Sequence, residues 1–97
     1  MNLQMKSAEQ AMESFFNQVE GLDHLKVKAR GDLLTIVSED EEGNIYPHAR
    51  LRKKSVHKWS LEMPARRGWE ATFIQGTERE LLEWLIEKFP WALSPRC

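Results

Sequence analysis

Two histidines set among cations are the residues with the most chemistry to offer. His48 and His57 bracket Arg50 and Arg52, with Lys58 close behind, in a stretch that alternates like two adjoining strands. A histidine that passes a proton, beside cations that stabilise a pentavalent phosphate, is what metal-independent cleavage of RNA requires. No carboxylate is placed to orient either ring, and His57 shares alternation parity with Trp59, so it can equally face inward. A small nuclease using His48 or His57 is therefore carried as the third reading, behind two non-catalytic ones.

An acidic segment is the second candidate. Ser38, Asp40 and Glu42, followed by Gly43 and Ile45, copy the opening spacing of a calcium loop. Ser38 stands where the first Asp belongs and Ala49 where the closing Glu belongs, and a strand follows instead of a helix. The segment reads as a hairpin turn. The single Cys, Cys97, excludes an intramolecular disulfide and a thiolate zinc site. No glycine-rich phosphate loop, serine nucleophile elbow or histidine metal spacing is present. The expectation is a non-enzyme with no metal and no cofactor.

The elements that position these residues follow from periodicity. Ser7 and Gln10 have the spacing of a capping box, and Ala8, Ala11, Met12, Phe15, Phe16 and Val19 then fall on one helical stripe, so a helix is predicted over 7–20. Glu9, Glu13, Asn17 and Glu20 fall on the opposite side. Gly21 can close the helix in a left-handed conformation. Residues 24–30 alternate apolar and basic, as a half-buried strand does. Strands are expected next at 33–39, 45–52, 56–63 and 69–74, separated by turn residues. Pro47 cannot donate to a ladder, so its strand lies at an edge, is bulged, or is free at that position. Thr77 and Glu80 form another capping box that opens a helix over 77–89, ended by Pro90. Short connections favour a meander. The chain reads as one α+β domain over residues 1–97, a two-layer sandwich with a five-stranded antiparallel sheet and both terminal helices on one face.

Charge is where the sequence is most informative. Fourteen Lys and Arg oppose fifteen Asp and Glu, a net charge of −1, which excludes a uniformly basic polyanion binder. Residues 44–67 nevertheless hold seven cations against the single anion Glu62, a segment charge of +6, so the rest of the chain carries −7. Strand alternation sends Lys26, Lys28 and Arg30 outward, then Tyr46, His48, Arg50 and Arg52, then Lys58; Lys53 extends the set. Ile45, Pro47, Ala49 and Leu51 are expected in the core, as are Trp59 and Trp69. The outward set describes a basic sheet face for an acidic protein or a nucleic acid. A solvated face with protective lysines would carry the same charges. Tyr46 is the only aromatic assigned to it, where base-stacking sheets use two or three.

The primary reading is thus a small binding or accessory protein acting through this face. The second is a structural protein, a possible homodimer, docking through Trp84 and Trp91, which lie off the main helix stripe or past the helix end. The first residues lack a basic region followed by an apolar run, and no apolar stretch approaches the length of a membrane span, so a cytoplasmic protein without a membrane partner is expected.

Overall fold

The computed structural model describes residues 3–19, 21–55 and 58–89. The element order is α1 (Leu3–Gln18), β1 (Lys26–Arg30), β2 (Leu33–Glu39), β3 (Ile45–Ser55), β4 (Lys58–Ala65), β5 (Gly68–Gly76) and α2 (Glu78–Lys88). The strands form one antiparallel sheet in the order β1-β2-β3-β4-β5, the expected meander. With the two helices it makes the α+β sandwich read from the sequence.

Helix α1 begins a full turn earlier than its capping signal. Ser7 and Gln10 are exposed within the helix, and Met5, before the expected start, is buried. The apolar stripe overrides the local cap: Met5, Met12 and Phe16 continue one face into the core, and burial of large side chains outweighs a cap worth about 1 kcal/mol. In α2 the cap holds as read. The Thr77 hydroxyl accepts from the Glu80 N–H at 3.2 Å, and the Glu80 carboxylate accepts from the Thr77 N–H at 3.0 Å.

The core lies between the sheet and the helices. Val27, Leu34, Ile36, Ala49, Leu51, Trp59 and Leu61 meet Met12 and Phe16 of α1 and Leu81, Leu82 and Leu85 of α2. Helix α1 packs mainly on β1, and α2 on β4 and β5. The placement of α1 corrects one expectation. Glu9 and Glu13 do not face only solvent. Their carboxylates accept the backbone N–H groups of Ala29 at 2.7 Å and Val27 at 3.0 Å. One helical turn matches two strand residues in rise, so the pair serves alternate donors along the open edge of β1. This is how the sheet blunts one of its two edges.

Two irregularities decide which side chains reach the far face. In β3, Ile36 opposes Ala49 while Val37 opposes Pro47, leaving His48 as an extra residue. This is the bulge that Pro47 allows. In β5, Ser60 opposes Gln75 and Glu62 opposes Ala71, so Leu61 alone spans Thr72, Phe73 and Ile74. The Thr72 hydroxyl bridges the gap, donating to the Leu61 carbonyl at 2.8 Å and accepting from the Ile74 N–H at 3.1 Å. No described helix is long and apolar enough to cross a membrane.

Candidate functional site

Directly opposed residues of an antiparallel ladder share a face. On the side away from the core, one row runs Lys28, Thr35, Arg50, Glu62, Ala71, and the next runs Arg30, Leu33, Arg52, Ser60, Gln75. Lys26 shares a third row with Val37 and Pro47. Strands are about 4.8 Å apart, so the Lys28 and Arg50 backbones lie roughly 10 Å from one another. Both helices pack into the core from the opposite side, so no described helix covers this surface. Lys26, Lys28 and Arg30 are exposed on it, as the alternation predicts.

Arg50 and Arg52 reach the same face but are not simply solvated. Glu62 lies between them, accepting from Arg50 Nε at 2.6 Å through Oε1 and from Arg52 Nε at 2.8 Å through Oε2. Burial pushes the Glu62 carboxyl upward, but the hydrogen bonds and charges of Arg52 and Arg50 outweigh it and hold the group below its ordinary value. The same contact raises Arg52. The side chain of Arg50 is 16% exposed and that of Arg52 38%, so Arg52 is the one that still addresses solvent. The guanidinium of Arg50 sits over the Trp69 ring, 4.4 Å from its centroid.

Trp69, expected in the core, instead lies on this face. The β4–β5 connection pairs Ala65 with Gly68, and that register sets Trp69 opposite Pro64, on the parity of Glu62. Phe73, on the parity of Ala71 and Gln75, is fully exposed. The aromatic content of the face thus comes from β5.

Tyr46 and His48 are the opposite correction. Neither lies on the basic face. The extra residue in β3 reverses parity for everything before it. Tyr46 therefore opposes Ser38 on the helix side, while Ile45 and Pro47, expected in the core, are exposed. His48 is 1% exposed, and its Nε2 lies 2.7 Å from the Ser38 hydroxyl. The His24 ring stands edge-on to it with centroids 6.2 Å apart. A serine on a histidine nitrogen is the arrangement that activates a nucleophile. Here both residues are buried, Ser38 at 5%, and the groove between α1 and α2, lined by Phe15, Val19, Glu78 and Leu82, includes neither. The pair satisfies buried polar groups at the bulge. His48 is thus separated from Arg50 and Arg52, and His57 lies outside the described residues.

The remaining candidates divide. Lys53 follows Arg52 in unbroken alternation and opposes the core residue Trp59, so it takes helix-side parity instead of joining the face; the register of β3 against β4 shifts only beyond it, between Lys53 and Ser55. Lys58 pairs with Ser55 and is exposed at the sheet end. Trp84 is half-buried, packed against the core and edge-on to Phe89 with ring centroids 4.7 Å apart; Trp91 lies outside the described residues.

The acidic segment is a hairpin turn built on Asp40. Its carboxylate accepts from the N–H groups of Glu42 at 2.9 Å and Asn44 at 2.8 Å, from Asn44 Nδ2 at 3.0 Å, and from the Tyr46 hydroxyl at 3.0 Å. These bonds, those from Asn44 foremost, hold the Asp40 carboxyl below its ordinary value, and the Tyr46 phenol is raised because it donates to Asp40. Gly43 takes φ +89° to close the turn. Among the described residues, no group of three or more metal-ligating side chains comes together.

The chain matches no protein-family model, no curated protein and no solved structure. Its functional reading rests on the geometry of the face.

Proposed function

We propose that this chain is a small non-catalytic binding module whose uncovered sheet face engages a polyanionic partner, an acidic protein or a nucleic acid. One observation carries the reading: Lys26, Lys28, Arg30, Arg50 and Arg52 share the helix-free face of three adjacent strands, and the ladder rows that hold them contain one carboxylate, Glu62. Glu62 offsets one of these charges and fixes two arginines in place. A preset cluster of this kind gains affinity because less side-chain freedom is lost on binding. The cations on β1 have no such anchor and supply charge at the surface.

Retention on immobilised heparin tests the reading. The wild-type chain is retained at low salt. Lys26→Glu with Lys28→Glu, two exposed positions that leave the Arg50–Glu62 pair intact, elutes earlier by a wide margin. Equal elution of the two proteins, with the fold unchanged by circular dichroism, would contradict the proposal.

A further inference from the structure

Resting on the reading of a polyanion-binding face, the geometry points to single-stranded nucleic acid as the occupant. The face has two zones of different chemistry. Cations fill the β1 side: Lys26, Lys28 and Arg30, with the half-exposed Arg52 beyond them. Aromatic and neutral groups fill the β5 side: Trp69, Ala71, Phe73 and Gln75. An acidic protein surface is matched by the first zone alone and gives the second nothing to do. A single strand needs both, because it carries a line of phosphates and, to one side of it, a line of flat apolar bases.

Two details strengthen the match. Phe73 is 101% exposed, a bare phenyl ring within the three-against-one irregularity of β5. Scattered exposed apolar residues are ordinary, but this one shares its strand and its face with a second aromatic, Trp69, four residues away, and successive bases stack on aromatics spaced along a charged sheet face. Arg50 already sits over the Trp69 ring, and Glu62 accepts a hydrogen bond from its guanidinium. The guanidinium and the indole are thus held together on the face, and arginine planes stack bases as aromatic rings do. Gln75, exposed at the end of the same strand, offers both a donor and an acceptor to a base edge. Duplex nucleic acid keeps its bases stacked inside and offers this aromatic zone nothing, so the occupant is an unpaired strand.

Fluorescence anisotropy with labelled oligothymidine and oligouridine, an abasic strand of equal length, and poly-glutamate tests this on the full chain. The expected result is that both base-bearing strands bind about tenfold or more tightly than the abasic strand. Phe73→Ala removes most of that difference and leaves abasic binding unchanged. Because Phe73 is wholly exposed, the variant keeps its fold. A second readout is quenching of tryptophan fluorescence by oligothymidine, which Trp69→Phe reduces. Equal binding of base-bearing and abasic strands, or indifference to Phe73→Ala, overturns the inference while the polyanion reading stands. Tighter binding of poly-glutamate than of any strand overturns it in favour of an acidic protein. Binding of none of the probes overturns the inference and the reading together.

Discussion

The guanidinium of Arg50, on the central strand, sits 4.4 Å over the ring centroid of Trp69, on the edge strand, across the strand that carries Glu62. Glu62 holds the same guanidinium from β4 through Oε1 at 2.6 Å and reaches Arg52 through Oε2 at 2.8 Å. A cation–π contact contributes about 1 kcal/mol at a half-exposed site. Its larger consequence is orientation. Two like charges two residues apart on β3 are fixed in place, and the face presents a preset arrangement of positive charge.

Glu62→Gln separates the two roles of this carboxylate. Removing the anion from a largely buried network costs on the order of 2 kcal/mol, discounted here because Arg52 is partly solvated. The same change adds one net positive charge to the face. Urea unfolding is therefore expected to show lower stability, while heparin retention increases. Loss of retention in a folded Glu62→Gln protein would contradict the arrangement.

Acid acts on the same group and on Asp40. Both carboxyls are held below their ordinary values of 4.5 and 3.8 in the folded chain. A group depressed on folding contributes stability that is complete above its unfolded pKa and lost as pH falls through the folded one. The urea midpoint should be insensitive to these groups near neutrality and fall once pH drops below about 4.5. Glu62→Gln should flatten part of that fall. A midpoint independent of pH down to about 3 would argue that neither carboxylate is engaged as described.

The edge of β1 gives a test that binding does not enter. Glu9→Ala with Glu13→Ala removes the acceptors of the Ala29 and Val27 N–H groups. Each hydrogen bond to a charged acceptor contributes about 1.5–3 kcal/mol, and the bare edge becomes a template for another strand. Amide exchange at Val27 and Ala29 should accelerate far more than at Leu34 or Leu51, and self-association should rise. Unchanged exchange at both amides would show that the carboxylates do not protect this edge.

The outward position of Lys26, Lys28, Arg30, Arg50 and Arg52 was legible in the sequence because those stretches alternate without interruption. Strand parity failed where the ladder gains residues. Pro47 signalled an irregularity in β3, but alternation alone does not say that the extra residue is His48, and one extra residue turns Tyr46 from the open face to the core side. Trp69 was misplaced for another reason. Reading all of 64–68 as turn hides a tight hairpin that pairs Ala65 with Gly68, from which Trp69 opposite Pro64 follows. Glu9 and Glu13 look solvent-facing on a helical wheel, which carries no information about a sheet edge beside the helix.

Ser38→Ala probes the bulge. The substitution removes the hydroxyl 2.7 Å from His48 Nε2 and leaves that nitrogen, in a ring 1% exposed, without this contact. The expected cost is about 1–3 kcal/mol. Since the bulge sets the parity of Tyr46 and not of Arg50, heparin retention of the folded variant should be unchanged. A stability equal to wild type would contradict the buried pair, and a loss of retention would tie it to the face.

That this sheet face binds polyanions through its cations is tested most directly by the salt dependence of oligonucleotide affinity. With Lys26, Lys28, Arg30 and Arg52 each neutralising a phosphate, log K should fall linearly with log salt with a slope of about −3 for a single strand. Lys26→Glu with Lys28→Glu should make the slope shallower by one or more. Binding that is independent of salt, or a double variant with wild-type slope and affinity, would contradict it.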